Sequence, residues 1–246
     1  MKIIDCSSPA GLDVSDKCGS YLHDEEPVAL FINGRHISTV LLAPGDIREY
    51  VTGFLFTEQY IKERREIESI RVEKNRASVI TTNIFTSPGP KKTILSGCGG
   101  TVSYIDPGKL PVLSSNFSVP AAILISSLPH LKIRDVGSKN QFFSALCREG
   151  HCQVCRQDIG EDQVTDRMIG AALMQDLDLS ASFCICSNTI TSETVRKCLL
   201  AGIPVIITTR ICTNLAVEIG QKNGLCIGEI RENLVLIYSR SDRITM

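Results

Sequence analysis

The feature that most constrains the fold is the rhythm of the last quarter of the chain, in which apolar strand-like runs alternate with helix-like segments. Runs rich in β-branched and apolar residues occupy 183–186, 204–209, 225–230 and 234–238. Strands that are separated by helices are joined by right-handed crossovers and lie parallel in one sheet that is covered on both faces. The sequence therefore predicts an α/β unit built on a mixed sheet.

The first half of the chain has a different pattern. Two β-rich runs flank Asn33-Gly34, the pair most typical of a type I′ hairpin turn. An amphipathic helix is expected after Asp46, and two short strands near 67–73 and 77–83. The apolar face expected for that helix consists of Ile47, Val51, Phe54, Leu55 and Ile61. We predict an α+β chain overall, with an N-terminal α+β domain at 1–115 and an α/β domain at 116–246.

The middle of the chain carries weaker signals. Residues 119–127 and 162–176 have helical patterns, and a serine at 138 is a candidate N-cap for a helix that runs through Phe143. The segment 147–155 has the length of a single strand. These four elements are expected to contribute to the second domain.

Composition excludes several classes of protein. The 246 residues carry a net charge of −1, whereas nucleic acids and anionic membranes usually require a basic face. No apolar run approaches the roughly 20 residues of a membrane span, and the first residues contain no apolar core of a secretory signal. We therefore expect a cytoplasmic protein without a nucleic-acid or membrane partner.

A single cysteine, Cys98, lies in the glycine-rich segment 96–101, which follows a segment rich in proline and glycine and a pair of lysines. Glycines let the backbone approach a partner closely and leave the sulfur unshielded. Backbone N–H groups and lysine charge favour the reactive thiolate. The pattern predicts a cysteine that reaches out of the protein and reacts.

The chain holds eleven cysteines, which in a reducing compartment are expected to be thiols, metal ligands or catalytic groups rather than disulfides. Cys184, Cys198 and Cys226 lie in apolar segments and are interpreted as small core residues.

A second group of cysteines, Cys147, Cys152 and Cys155, has the short spacing of half a metal site, for which Cys98 could be a remote fourth ligand. On a regular strand, however, Cys152 and Cys155 point to opposite faces. Packing and pocket lining are therefore preferred over a metal of the protein's own, and a cysteine-based metal-binding module stays open as an alternative.

Ligands of parallel sheets bind at the carboxyl ends of the strands, which here lead to 187–191, 210–214 and 228–233. Ser187, Thr191 and Thr213 stand close to expected helix N-termini, where phosphate or another anion is favoured. The alternative is that the threonines serve only as N-caps.

The densest polar run spans 148–160 and includes His151, Arg156, Asp158 and Gly160. These residue types are typical of a loop that recognises a polar, phosphorylated or heterocyclic ligand. A solvated loop would have the same composition and remains the alternative.

These segments together resemble the FdhD/NarQ formate dehydrogenase accessory sulfurtransferases, from Glu25 to Ile244. No single motif carries the resemblance; the ordered set does. In chain order the matching segments are Glu26-Pro27-Val28-Ala29-Leu30 with Asn33-Gly34, Pro44-Gly45-Asp46, Gly53-Phe54-Leu55, Cys98-Gly99, His151, Arg156-Gln157-Asp158-Ile159-Gly160, Asp166, Ile169-Gly170, Ser192-Glu193-Thr194-Val195, Gly202-Ile203-Pro204, Thr213-Asn214-Leu215-Ala216-Val217, Tyr238 and Arg243-Ile244.

The resemblance implies a sulfur-transfer role. Members of the family accept sulfur from a cysteine desulfurase as a persulfide, which would form here on Cys98. They deliver it to the molybdenum or tungsten bis(pyranopterin guanine dinucleotide) cofactor before that cofactor enters formate dehydrogenase. The resemblance also implies a homodimer and a cytidine-deaminase-like C-terminal domain. It places at the cofactor pocket His151, Arg156, Asp158, Gly160, Gly228, Glu229, Ile230, Arg231, Glu232 and Asn233.

The chain departs from the family pattern at several places, two of which bear directly on the chemistry. The family's loop usually carries Cys-x-x-Cys, but the second position here is Thr101, so only a single carrier thiol is available. Glu161 and Asp162 replace a basic residue and a histidine, and two carboxylates are expected to weaken the binding of a polyanionic cofactor. A non-catalytic chaperone that binds the cofactor is therefore the second hypothesis.

Overall fold

The computed structural model describes residues 24–83, 92–94, 101–103, 109–130, 141–232 and 234–245. Within these ranges no helix is both long enough and apolar enough to cross a lipid bilayer. The strands of the described residues are, in chain order, β1 (Glu26–Ile32), β2 (Arg35–Leu42), β3 (Ile67–Glu73), β4 (Arg76–Thr81), β5 (Lys92–Ile94), β6 (Thr101–Ser103), β7 (Val119–Pro120), β8 (Phe142–Arg148), β9 (His151–Asp158), β10 (Phe183–Cys186), β11 (Val205–Thr208), β12 (Cys226–Arg231), β13 (Leu234–Ser239) and β14 (Ile244–Thr245). The α-helices are α1 (Ile47–Thr57), α2 (Ala121–Ser127), α3 (Glu161–Met174), α4 (Ser192–Ala201) and α5 (Asn214–Asn223).

The first half forms a four-stranded sheet with the order β2-β1-β4-β3. Strands β1 and β4 are parallel, and the two outer pairs are antiparallel hairpins. The first hairpin turns at Asn33 and Gly34, both with positive φ (48° and 81°), as a type I′ turn requires. The predicted hairpin is confirmed, and so is the pair of strands that follows the helix.

Helix α1 covers this sheet with its apolar face. Asp46 caps its N-terminus by accepting a hydrogen bond from the Arg48 N–H, and Val51 and Leu55 are fully buried. The predicted helix is confirmed, but Ile61 lies beyond its end. Ile61 is nevertheless buried in the same apolar cluster as Leu55.

The second half forms a six-stranded mixed sheet with the order β13-β12-β11-β10-β8-β9. Strands β10, β11 and β12 are parallel, and β8 and β13 run antiparallel to their neighbours. The three helices α3, α4 and α5 bury Met168, Val195 and Ala216 in one apolar cluster of this half, and α2 places Leu124 in a second cluster. The predicted fold class, a mixed α/β sheet within an α+β chain, is confirmed.

Two predictions for the middle of the chain are wrong. Phe142 and Phe143 belong to strand β8 rather than to the end of a helix, and the start proposed for that helix lies outside the described residues. The segment 147–155 is not one strand but the tip of the β8–β9 hairpin. The chain reverses at Glu149 and Gly150, both with positive φ (51° and 81°). Glu-Gly is a weaker hairpin signal than Asn-Gly, and therefore the turn is missed from sequence.

The two halves meet where α1 crosses α3. A Cβ atom added to Gly53 would lie 1.8 Å from the Asp166 carbonyl oxygen, and one added to Gly170 would lie 1.8 Å from the Glu49 carbonyl oxygen. Leu110 already belongs to the apolar cluster of the second half. The division into domains 1–115 and 116–246 stays a prediction.

Candidate functional site

The candidate site lies at one edge of the six-stranded sheet. Strand β8 is antiparallel to both β9 and β10, so the carboxyl ends of β9, β10, β11 and β12 meet at the same edge. The helices α3, α4 and α5 each begin directly after one of these strands. Three helix N-termini with positive dipole ends therefore face one edge, an arrangement that attracts anions.

The predicted residues at two of these N-termini cap their helices. The Thr191 hydroxyl accepts a hydrogen bond from the Thr194 N–H in a capping box, and the Thr213 hydroxyl accepts one from the Ala216 N–H. Gly160 is the N-cap residue of α3, without a side-chain cap. The capping role considered for both threonines is confirmed, and the remaining N–H groups of the first turns are the groups that an anion would meet.

Backbone hydrogen bonds join the loops that precede α4 and α5. The Ile190 N–H donates to the Ile211 carbonyl, and the Thr213 N–H donates to the Ile190 carbonyl, each at 3.0 Å. The side chain of Arg210 is half exposed, lies 3.7 Å from a Glu161 carboxylate oxygen and stands over the Phe142 ring. Its guanidinium is therefore next to a carboxylate.

Ser187 and Asn188 directly follow β10 at this edge. The Ser187 hydroxyl accepts a hydrogen bond of 2.9 Å from the Phe143 N–H and so ties the end of β10 to β8. Asn188 is fully buried, and its Oδ1 is among the few buried side-chain atoms of the described residues with no hydrogen-bond partner. A buried acceptor of this kind requires a donor from a ligand or from water.

The predicted segment 228–233 spans β12 and the following turn. Gly228 and Ile230 are buried, and Glu229 accepts hydrogen bonds from Arg231 Nε (2.5 Å) and from the Tyr238 hydroxyl (2.8 Å). The hydrogen bond with Arg231 and that with Tyr238 lower the pKa of Glu229. Arg231 and Glu232 are exposed at the turn, and Asn233 lies outside the described residues.

Of the residues predicted on β9, His151 and Arg156 do not converge on this edge. His151 is the exposed first residue of β9, opposite Arg148, at the other end of the strand. Arg156 makes a bidentate ion pair with Glu49 of α1, with both N–O distances at 2.5 Å. This pairing raises the pKa of Arg156 and directs its guanidinium to the first half of the protein rather than to the helix N-termini.

Asp158 is fully buried and forms an ion pair with Arg167 (Nε–Oδ2 2.6 Å). Its other oxygen accepts hydrogen bonds from the N–H groups of Ala43, Ile159 and Gly160. Burial raises the pKa of Asp158 against the opposing effect of Arg167. The carboxylate therefore stabilises the loop before α3 through hydrogen bonds and does not reach the surface.

The two acidic residues that depart from the family pattern have different surroundings. Glu161 accepts a hydrogen bond from the Thr189 N–H and stands at the edge beside Arg210, and burial raises its pKa. Asp162 lies beside the buried Lys197, whose ammonium donates to the Asp162 carbonyl oxygen at 3.1 Å. Only Glu161 therefore places its carboxylate at the rim of the candidate site.

The comparisons with known proteins agree with this architecture. A model of the FdhD/NarQ family matches residues 23–245. The chain belongs to the FdhD/NarQ family. A crystal structure from Desulfotalea psychrophila, described as a formate dehydrogenase accessory protein, superposes with a TM-score of 0.74 at 24% identity and covers 90% of each chain. At that identity the likeness is one of fold.

Three similar FdhD/NarQ proteins carry the name Sulfur carrier protein FdhD. The protein of Bordetella petrii is 23% identical and covers 91% of this chain and 86% of its own length. The protein of Mycolicibacterium paratuberculosis is 27% identical, with 89% and 90% covered, and that of Sulfolobus acidocaldarius is 27% identical, with 90% of each covered.

Cys98, the predicted sulfur-carrying residue of this family member, lies outside the described residues. Among the residues that the structure does describe, no group of three or more His, Cys, Asp or Glu side chains is arranged to hold a metal ion. The ligand set considered from sequence included Cys98, so the metal-binding alternative as a whole stays a hypothesis.

Sequence reasoning placed Cys152 and Cys155 on opposite faces of a strand, and this is wrong. The register pairs Leu146 with Val154 but Cys147 with Cys152, so β9 contains one extra residue at this point. Such a β-bulge shifts the alternation by one residue. Cys152 and Cys155 consequently pack on the same face, against the same apolar cluster as Cys147.

A buried charge network behind the edge was also missed from sequence. Arg196 of α4 pairs with Glu193 and with Glu58, and also donates to the Thr57 carbonyl oxygen. Lys197 Nζ lies 2.8 Å from Asp166 Oδ2. Glu58 directly follows α1, Asp166 lies on α3, and both cations lie on α4, so apart from the Glu193–Arg196 spacing within α4 the contacts depend on how the helices pack.

Proposed function

We propose that this FdhD/NarQ protein is a sulfur carrier that serves the maturation of formate dehydrogenase. Cys98 takes the outer sulfur of a persulfide on a cysteine desulfurase, and the donor leaves as a thiol. The product is a persulfide on Cys98, which is passed to the molybdenum or tungsten bis(pyranopterin guanine dinucleotide) cofactor, the substrate of the transfer. The observation that carries the proposal is the match of about nine tenths of the chain to relatives named sulfur carriers.

The edge of the six-stranded sheet suits the nucleotide part of this substrate. The N-termini of α3, α4 and α5 offer N–H groups and positive dipole ends to phosphates, and Arg210 adds a half-exposed cation. His151, Arg156 and Asp158 are not part of this group, so a role of theirs in cofactor binding requires contacts other than those described.

The proposed setting follows from the same family relation. The donor is a cysteine desulfurase and the receiving enzyme a formate dehydrogenase, and the protein acts as a homodimer in the cytoplasm. Its balanced charge supports a function that involves neither nucleic acid nor a lipid surface.

The proposal is tested by formate dehydrogenase activity in the natural host after deletion of the gene for this chain. Complementation with the wild type and with Cys18→Ala should restore the activity, whereas Cys98→Ala should not. Cys18 is the matched control because it is a cysteine of the same chain that precedes the residues matched by the family model. Restoration by Cys98→Ala to the wild-type level would overturn the carrier role.

The second candidate function is a cofactor-binding chaperone that carries no sulfur. The observation that favours it is Thr101, which stands where the family usually has a second loop cysteine. This candidate predicts that Cys98→Ala restores formate dehydrogenase, so the same complementation experiment separates the two functions.

A further inference from the structure

The cysteines of the β8–β9 hairpin form a thiol group that the proposed function does not use. Cys147 and Cys152 are direct partners in the register of the two strands. Residues directly opposed in antiparallel strands have Cα atoms about 4.5–5.5 Å apart, within the range of about 4.4–6.8 Å that a disulfide bridges. The register therefore places this pair within the Cα spacing that a disulfide requires.

Cys155 completes the group. The extra residue in β9 brings Cys155 to the same face as Cys147 and Cys152. The thiols of Cys147 and of Cys155 each form a side-chain hydrogen bond with Cys152. Without the bulge, Cys152 would point to the opposite face and the three sulfurs would be separated by the sheet.

The three thiols differ in access. Cys147 is fully buried, whereas Cys152 and Cys155 are half-buried on β9, an outer strand of the sheet. The hydrogen bond with Cys152, together with burial, raises the pKa of Cys147 and of Cys155. Cys152 is the half-buried member of the opposed pair and Cys147 the fully buried one, so Cys152 is the thiol that a sulfur donor meets first.

We propose that Cys152 and Cys147 form a second sulfur-handling site, in which Cys152 accepts a sulfane sulfur and Cys147 displaces it as hydrogen sulfide. This inference rests on the proposed function, because both use a persulfide as the sulfur donor.

Both steps balance without a further oxidant. In the first, the Cys152 thiolate attacks the outer sulfur of the donor persulfide, the donor S–S bond breaks, and the donor leaves as a thiol. In the second, the Cys147 thiol passes its proton to the outer sulfur of the persulfide and attacks the Cys152 sulfur as a thiolate, the persulfide S–S bond breaks, and hydrogen sulfide leaves. Two thiols are oxidised to a disulfide and the sulfane sulfur is reduced to sulfide. A small-molecule thiol resets the site by reducing the disulfide.

The test uses the full chain with Cys98→Ala, reduced and kept anaerobic, and glutathione persulfide as the sulfur donor. We expect the intact mass to fall by about 2 Da as the disulfide forms, with one equivalent of hydrogen sulfide beyond a protein-free control. Peptide mapping should locate the disulfide between Cys147 and Cys152. A matched variant that also carries Cys18→Ala should behave identically.

Two further variants separate the steps. With Cys98→Ala and Cys147→Ala, the persulfide on Cys152 should accumulate as a gain of about 32 Da. With Cys98→Ala and Cys152→Ser, both the mass change and the release of hydrogen sulfide should be lost. Because Cys152 is half-buried, this variant should fold even if removal of the buried Cys147 is not tolerated.

The second site is overturned if the Cys98→Ala protein keeps its reduced mass, or if Cys152→Ser leaves the reaction unchanged. In either case sulfur loading of Cys98 in the wild type would stand. Conversely, reaction at Cys152 without any loading of Cys98 would overturn the proposed carrier residue and leave the second site in place.

Discussion

At the scale of single residues, the described structure separates two arginine–carboxylate pairs that look alike in sequence. Asp158 and Arg167 are almost completely buried, whereas the side chain of Arg156 is 30% exposed and that of Glu49 is 13% exposed. A buried charge that loses its partner is costly, because the protein interior does not solvate it. A pair near the surface is screened by water and contributes little.

The first prediction compares these pairs. Asp158→Asn leaves the buried Arg167 guanidinium unpaired and should lower the free energy of unfolding by about 3–5 kcal/mol. Glu49→Gln should lower it by about 1 kcal/mol or less. Urea denaturation of both variants measures the difference, and equal losses would contradict the distinction.

At the scale of elements, the crossing of α1 and α3 depends on two glycines. Added Cβ atoms at Gly53 and Gly170 would lie 1.8 Å from backbone carbonyl oxygens of the facing helix, so an alanine requires the helices to separate. At Gly202, which ends α4 with φ +75°, an added Cβ would meet no atom within 4 Å.

The second prediction uses Gly202 as the matched control. Gly53→Ala should lower the free energy of unfolding by at least about 3 kcal/mol, because backbone cannot move aside as a side chain can. Gly202→Ala should lower it by about 1–2 kcal/mol, the strain of a left-handed residue. Thermal unfolding of the two variants measures the difference in their stability. A Gly53→Ala protein as stable as Gly202→Ala would show that the helices do not cross in this way.

The third prediction concerns the helix N-termini at the sheet edge. Glu161 places a carboxylate beside them, so Glu161→Gln should tighten the binding of GDP, a probe of the guanine nucleotide end of the cofactor, by about fivefold. Glu68→Gln removes the same charge from the exposed surface of β3 and should leave the affinity unchanged. Calorimetric titration measures both; absence of GDP binding, or an equal response of the two variants, would place the nucleotide elsewhere.

At the scale of the whole molecule, the buried network connects α1 of the first half with α3 and α4 of the second. The two cations Arg196 and Lys197 face four carboxylates. Burial raises the pKa of Asp166 to about 6, despite the attraction of Lys197, and the neighbouring Glu58 adds to the rise. Lys197 keeps its proton because several carboxylates surround it.

The fourth prediction is a pH dependence of stability. The folded-state pKa of Asp166 (about 6) exceeds its ordinary value of 3.8, so the folded protein binds this proton more tightly than the unfolded chain. The contribution is fully present below about pH 4 and is lost as the pH rises through about 6. The stability of the wild type relative to Asp166→Asn should therefore decrease as the pH rises from about 4 to about 6. A difference that stays constant or grows, measured by denaturation at each pH, would contradict the assignment.

Elements that are specified by neighbouring residues can be predicted from the sequence. The Asn33-Gly34 hairpin, the cap at Asp46 and the alternation that makes the mixed sheet all follow from residues close together in the chain. The bulge in β9 and the charge network do not, because the first depends on the register with β8 and the second on how three helices pack. Family resemblance could name His151 and Arg156, but it could not show that they lie away from the helix N-termini.

The measurement that tests the central claim most directly is the mass of the intact protein after anaerobic incubation with a cysteine desulfurase and cysteine. The wild type should gain about 32 Da for one persulfide sulfur, located on Cys98 by peptide mapping, and Cys98→Ala should show no gain at that position. A wild type whose Cys98 stays unmodified, beside a desulfurase that loads another acceptor, would contradict the account.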